Sequence, residues 1–348
     1  MKIALISPPL LLTPPRGYGG LERVVYDLGC ALVEQGEEVT LFAPPGSHID
    51  GGKLVETVSA PERTDVNWVE LEKTAYEGYR EKLVGFDIIH DHSWFGFPYL
   101  AKIDPAFKDL KICHTHHGHC DWNPGLVPEQ IKPVSLIGIS EFMMNEYKSR
   151  GWNSKYVYNG IDISKHPYSD VKDNRLVFVG RISKIKMPHA AIKVAIECDI
   201  PIDIIGGSFV DDKSYLEAIK TECENSKGIA TLHLDLDHAK KVELVQHAKA
   251  CLIPSKFGEP FGLTAVESIS CGTPAICFDD GALKEIVNTP SVGSICRDYD
   301  AFLKAVQNID SAKYDPKACR IRANYFTREK MAERYTKLYK EVVDGKGW

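Results

Sequence analysis

Two carboxylates, Glu259 and Glu267, bracket a glycine-bearing turn in the stretch Ser255-Lys256-Phe257-Gly258-Glu259-Pro260-Phe261-Gly262-Leu263-Thr264-Ala265-Val266-Glu267-Ser268. The apolar run Ala250 to Ile253 precedes it and reads as a buried strand, and a helical run ending near Cys271-Gly272 follows. Strand, glycine loop and helix start, in that order, make an anion site. The first N–H groups of a helix lack intrahelical partners, and the helix dipole is positive there. Phe261, Gly262 and Leu263 offer those groups, and Gly262 lets a phosphate approach the backbone closely. Carboxylates repel a phosphate, so the partners suited to Glu259 and Glu267 are hydroxyls, as on a sugar or a ribose. A plainer reading fits the same spacing, with Glu267 complementing the helix dipole and Glu259 an exposed loop acid.

A second cluster, His116-His117-Gly118-His119-Cys120-Asp121-Trp122, follows the predicted strand Lys111 to Thr115. Its His, Cys and Asp invite a zinc reading, but the spacing offers no helical i, i+4 pair and no second Cys pair supports it. No metal site is expected.

The elements that must position these groups are legible as alternating strands and helices. Lys2 to Ser7 reads as a buried strand, followed by a Pro- and Gly-rich loop to Gly20. A helix follows, with Leu21, Val24, Val25, Leu28, Leu32 and Val33 at helical spacing. Gly36 closes that helix and Val39 to Ala43 is the next strand, a doubly wound opening. Gly17-Tyr18-Gly19-Gly20 is not the dinucleotide fingerprint G-x-G-x-x-G, so nothing here points to a dehydrogenase. Residues 163–174 are polar, contain Pro167 and lack a period, and read as an interdomain linker. The last apolar run, Met331, Tyr335, Leu338, Tyr339 and Val342, has helical spacing.

A chain of 348 residues is long for one core, so two domains are expected. The net charge of -6, with no long basic run, argues against nucleic acid as a partner. The 10 cysteines are scattered, with no C-x-x-C pair, which fits a reducing, cytoplasmic setting better than a disulfide framework. The apolar start runs into Pro8-Pro9 and is too short for a signal peptide, and no stretch is long enough to span a bilayer. Peripheral membrane contact stays open.

Taken as a string, Glu259-Pro260-Phe261-Gly262-Leu263 with Glu267 and the small Ser268 resembles the E-x7-E signature of retaining GT-B glycosyltransferases of family 4. Cys271-Gly272-Thr273-Pro274-Ala275-Ile276 is similar to the family's G-x-P-V segment, with Ala275 in place of Val. Gly19-Gly20-Leu21-Glu22-Arg23-Val24-Val25 resembles its first glycine loop, Asn159-Gly160-Ile161-Asp162 its N-G-[VI]-D segment, and Gly180-Arg181-Ile182-Ser183-Lys184-Ile185-Lys186 its G-R-x4-K motif. Gly281 to Val287 resembles its G-G-x-x-E helix start, with Ala282 replacing the second Gly. One departure stands out: relatives usually follow the motif Lys with Gly, whereas Met187-Pro188 follows here.

The resemblance implies an α/β GT-B fold, with two Rossmann-like doubly wound domains facing a cleft and a C-terminal helix crossing back to the first. On this reading residues 1–165 form the acceptor-side domain, 166–325 the nucleotide-sugar domain and 326–348 the returning helix. It implies that Arg181 and Lys186 clamp the donor diphosphate, with Lys184 the rival of Lys186. Gly19 and Gly20 approach the donor's phosphates or the acceptor, and Leu236, beside Asp235 and Asp237, lies near the base. His117 contacts the transferred sugar, with His116 as its rival, and Tyr18, His119 and Trp122 line the acceptor side. The implied donor is a nucleotide sugar, UDP-glucose before GDP-mannose. The acceptor is a small molecule, a lipid-linked sugar or a glycan, and neither a bound cofactor nor a metal is implied. Alternatives on the same fold are a sugar-nucleotide epimerase, a phosphorylase and a non-catalytic nucleotide-sugar-binding protein.

Overall fold

Apolar strands joined by helices that recross the sheet give parallel pairing, since a parallel neighbour can be reached only by a crossover. The computed structural model describes residues 1–17, 19–62, 65–118, 134–208 and 210–348. Two compact units emerge, Met1–Gly160 with Arg328–Trp348, and Ile161–Thr327.

The first unit runs β1 (Lys2–Ile6), α1 (Gly20–Glu34), β2 (Glu38–Ala43), β3 (Lys53–Glu56), α2 (Trp68–Tyr79), β4 (Ile88–Asp91), β5 (Ile112–His116), β6 (Leu136–Gly138), α3 (Glu141–Ser149) and β7 (Ser154–Tyr156). Among the described residues its sheet has the order β3-β2-β1-β4-β5-β6-β7, every pair parallel. Ile3, Leu5 and Ile88 in its centre are completely buried, as strands covered on both faces require.

The second unit runs β8 (Leu176–Val179), α4 (Pro188–Cys198), β9 (Ile202–Gly206), α5 (Lys213–Asn225), β10 (Ala230–Leu234), α6 (His238–His247), β11 (Ala250–Ile253), α7 (Leu263–Ser270), β12 (Ala275–Phe278), α8 (Leu283–Ile286), β13 (Gly293–Cys296), α9 (Tyr299–Gln307) and α10 (Pro316–Ala323). Its sheet is again parallel, in the order β10-β9-β8-β11-β12-β13. Strand order reverses between β8 and β11, and in open α/β sheets the crevice beyond the strand ends at such a point is where ligands bind. Side-chain caps fix where the helices begin. Asp212, Asp237 and Asp298 accept from Tyr215 N, Lys240 N and Ala301 N at 3.0, 2.8 and 2.8 Å.

The final helix, α11 (Arg328–Val343), belongs to the first unit and buries Met331, Ala332, Tyr335, Tyr339 and Val342, one stripe at helical spacing. The change of unit falls at Gly160–Ile161, where Ile161 bridges to Thr327 and its N–H donates to Phe326 O at 3.0 Å. The polar segment 163–174, expected as a linker, is tied to the second unit. Ser169 N donates to Cys271 O at 3.1 Å and Asp173 N to His247 O at 2.7 Å. Lys172 Nζ donates to Gln246 O at 2.7 Å and to Thr273 Oγ1 at 2.8 Å. Lack of period reflected irregular backbone, not freedom from the domain.

Candidate active site

In the second unit two loops leave the sheet at its reversal point. One follows β8 and carries Arg181, Lys184 and Lys186; the other follows β11 and carries Lys256 to Gly262. They are joined by Lys256 N donating to Ile185 O at 3.2 Å. Lys186 Nζ reaches Glu259 Oε2 at 2.5 Å and lies 4.5 Å from the centre of the Phe257 ring. Glu259 is 7 % exposed, so this is a largely desolvated pair in which each charge needs the other. Lys184, the rival cation, instead pairs with the α5 cap Asp212 at 3.0 Å and is largely exposed. Arg181 donates from Nη1 to Asp211 Oδ2 at 3.1 Å, while its buried Nε has no partner among the described residues. Met187, where relatives usually have Gly, takes a left-handed φ of 54° immediately before Pro188 begins α4. The loop thus keeps a backbone shape suited to glycine at a cost of about 1–2 kcal/mol in local strain.

Gly262 caps α7 with φ 104°, and a Cβ there would stand 2.7 Å from Leu283 Cδ2. Phe261 before it is buried and packs edge-on against Phe326 at 5.8 Å. The N–H groups of the first turn of α7 therefore start from a fixed point beside Glu259. Glu267, one turn further, pairs with Lys241 of α6 at 2.9 Å. Burial pushes the Glu267 carboxyl up, but Lys241, His166 and His238 outweigh it and hold it below the usual carboxylate range. Leu236, half-buried, follows Asp235, whose φ of 54° and carboxylate bond from Ser208 N at 2.9 Å shape the loop after β10.

Three contributors escape a reading of spacing. Lys241 looks like any surface helix lysine, and His166 fell in the supposed linker. The third, Asp280, accepts from Phe257 N at 3.1 Å, Gly258 N at 3.0 Å and Glu259 N at 2.9 Å, holding the whole turn ahead of Glu259. An Asp before the Gly281 motif was the available signal. Asp280→Ala is expected to destabilise the protein by at least about 2 kcal/mol, since hydrogen bonds to a charged group contribute about 1.5–3 kcal/mol each. Urea denaturation checks this, and a wild-type midpoint would refute the clamp.

In the first unit Gly19 caps α1 and accepts from Arg23 N at 3.1 Å, and Gly20 is the helix's first residue. Glu22 in that first turn is buried, which pushes its carboxyl up to about 7. His116 ends β5, buried, its ring edge-on to Trp94 at 5.7 Å. His117 is half-buried and bonds through Nε2 to His92 Nδ1 at 2.8 Å. The acceptor-side candidates Tyr18, His119 and Trp122 lie outside the described residues. Among the described residues no group of three or more His, Cys, Asp or Glu is placed to hold a metal, and no helix is long and apolar enough to cross a membrane.

Comparison with known proteins places this arrangement. A glycosyltransferase of avilamycin A biosynthesis superposes over 99% of this chain and 98% of its own, with a TM-score of 0.77 at 22% identity. HepE from Anabaena, solved with UDP-glucose, superposes over 98% and 100%, with a TM-score of 0.74 at 14% identity. The fold is that of the GT-B glycosyltransferases. Residues 162–327 match the model "Glycosyl transferases group 1" and residues 18–165 the model "Glycosyltransferase Family 4". The chain belongs to this glycosyltransferase family. Among curated relatives, a glycogen synthase of Mycobacterium tuberculosis is 26% identical across 93% of this chain and 88% of its own.

Proposed function

We propose that the protein is a retaining hexosyltransferase that moves a hexose from a nucleoside diphosphate sugar, UDP-glucose first, to an acceptor hydroxyl. The observation that carries this is the meeting of Lys186, Glu259 and the N-terminus of α7 at the reversal point of the second sheet, with Arg181 on the same loop as Lys186. Cations and helix N–H groups suit a departing pyrophosphate, whose charge grows as the bond breaks. The C1–O bond to the phosphate breaks, and the acceptor oxygen bonds C1 on the same face. The acceptor's proton passes to the leaving phosphate oxygen. Arg181, Lys186 and the helix terminus supply the positive charge, so activity without a divalent ion is part of the proposal. UDP-glucose is favoured by the string Pro15-Arg16-Gly17-Tyr18-Gly19-Gly20 and by the UDP-glucose bound in the Anabaena neighbour. The free cysteines, mostly buried, support a reducing, cytoplasmic setting.

Nucleotide release from UDP-glucose and GDP-mannose, with and without candidate acceptors and in the presence of EDTA, tests the reading. Release from neither donor under any condition would reject it. Within the site, Glu267→Ala is expected to weaken binding of the free nucleotide by about 1–3 kcal/mol. Glu259→Ala is expected to lower turnover and loosen selection between epimeric donors while the bare nucleotide still binds. Calorimetry beside steady-state kinetics separates the two, and equal effects on nucleotide binding would contradict this division.

A further inference from the structure

The ion pair between Lys241 of α6 and Glu267 of α7 leaves much of its hydrogen-bonding capacity unused. Lys241 Nζ donates to Glu267 Oε2 at 2.9 Å. An ammonium carries three donors and a carboxylate two acceptor oxygens. Among the described residues Lys241 Nζ makes no second hydrogen bond and Glu267 Oε1 accepts none. The carboxylates that hold the rest of this unit together are saturated by contrast. Asp203 takes Arg175 Nε at 2.8 Å, Arg175 Nη2 at 2.7 Å and His233 Nε2 at 2.8 Å. Asp280 takes three backbone N–H groups. Each side chain of the Lys241–Glu267 pair is 22 % exposed, so its spare donors and spare oxygen border solvent. As a mere staple between two helices, a pair that open contributes only about 0–1 kcal/mol.

The place of the pair in the fold says what it could meet. The loop after β10 carries Leu236, read as a neighbour of the base, and runs straight into α6. Asp237 caps that helix, accepting from Lys240 N at 2.8 Å through its side chain and from Lys241 N at 3.0 Å through its carbonyl. Lys241 therefore stands in the first turn after the base loop. Glu267 stands in the second turn of α7, whose first N–H groups are read as phosphate donors. In a nucleotide the group between base and phosphate is the ribose. Its 2′- and 3′-hydroxyls are neighbours on one face of the ring, and each can donate and accept. A spare carboxylate oxygen beside spare ammonium N–H groups matches such a diol. One hydroxyl donates to Glu267 Oε1 and its neighbour accepts from Lys241 Nζ.

We propose that Lys241 is a specificity-determining residue that, beside Glu267, reads the vicinal diol of the donor's ribose by donating to one of its hydroxyls. This rests on the reading of Glu267 as the ribose partner made under the proposed function. A deoxyribose nucleotide would leave one of these charged groups facing a carbon, and sites built to bond a hydroxyl discriminate strongly against its absence.

Calorimetry of the full-length protein with UDP, 2′-deoxy-UDP and 3′-deoxy-UDP, and with the three guanosine counterparts, reads each hydroxyl separately. In the wild type each deoxy nucleotide is expected to bind at least about tenfold more weakly than its parent, the scale of a lost hydrogen bond to a charged group. Lys241→Met keeps the length of the side chain and is expected to abolish one of the two penalties while keeping the other. Glu267→Ala is expected to abolish the other one. Lys241→Arg, still a cationic donor, is expected to keep both, and Lys240→Met, at an exposed neighbour, is expected to match the wild type. Ratios within one variant are independent of that variant's stability. Both penalties intact in Lys241→Met would mean that the ammonium reads no hydroxyl, and both lost would mean that it only holds Glu267 in place; either result overturns the proposal. Unaltered penalties in Glu267→Ala sink the ribose reading of Glu267 instead, and binding of neither parent nucleotide sinks the nucleotide-sugar reading as a whole.

Discussion

Lys186→Ala and Arg181→Ala are each expected to remove at least about 2 kcal/mol of transition-state stabilisation, about 30-fold in kcat/KM, the scale of one lost electrostatic donor. For Lys186 the loss has two sources. The donor diphosphate loses a cation, and Glu259, only 7 % exposed, loses the ammonium 2.5 Å away. Leaving a desolvated carboxylate without its partner is strongly unfavourable, so Lys186→Ala is also expected to lower the stability of the protein. The double variant Lys186→Ala, Glu259→Gln removes that second source, and its stability is expected to recover while its turnover does not. Lys184→Ala is the internal control. Its ammonium is paired with Asp212 at the start of α5, and near wild-type kinetics are expected. Steady-state rates at saturating donor decide the matter: near wild-type turnover in both Arg181→Ala and Lys186→Ala would show that neither cation serves the leaving group.

Gly281→Ala is expected to be the most damaging single methyl that can be added near this loop. Its φ is 54°, and a Cβ would fall 2.2 Å from Glu259 O and 2.5 Å from Glu259 N. Those are backbone atoms, pinned by Asp280 on one side and by Ala282 N donating to Glu259 O at 2.9 Å on the other, so no flexible end can swing away. Left-handed strain of about 1–3 kcal/mol and overpacking of similar size sum to about 2–6 kcal/mol. Thermal denaturation should show a fall in Tm of roughly 10 °C or more for a unit of this size, with turnover lost alongside. A stable, active Gly281→Ala protein would mean that the turn carrying Glu259 is not fixed by this contact. The neighbouring Ala282 has φ -85° and is buried, which explains why a side chain is accepted there and not one position earlier.

Apolar runs bounded by Gly and Pro were enough to mark most strands, because strands buried on both faces have little polar sequence to confuse the reading. Among the described residues two of the four edge strands, β3 and β13, were not legible. Lys53–Glu56 is flanked by charge and only half-buried, and Gly293–Cys296 begins with a glycine, so neither shows a run that stands out from a loop. In the site, the local pattern was legible where one loop holds several groups in sequence, as from Glu259 to Glu267. Partners supplied from elsewhere were not. Asp280 acts on residues 21–23 positions away, Lys241 reaches Glu267 across 26, and His90 meets Tyr339 across 249. No periodicity encodes such pairs; the sheet order creates them.

The split of the first unit between the two ends of the chain bears on how the protein emerges during synthesis. Ile161–Thr327 is one uninterrupted block and has every strand of its sheet once Cys296 has been made. The first unit, begun earlier, must wait for Arg328–Trp348. Until then Tyr335 and Tyr339 are missing from the Thr115 and His90 side chains, and the Trp348 indole is missing from its 2.8 Å bond to Leu136 O. The order of translation is therefore not the order of completion. The later-made unit closes first, while the earlier one holds its sheet with an uncovered apolar face, the vulnerable interval for aggregation on the ribosome.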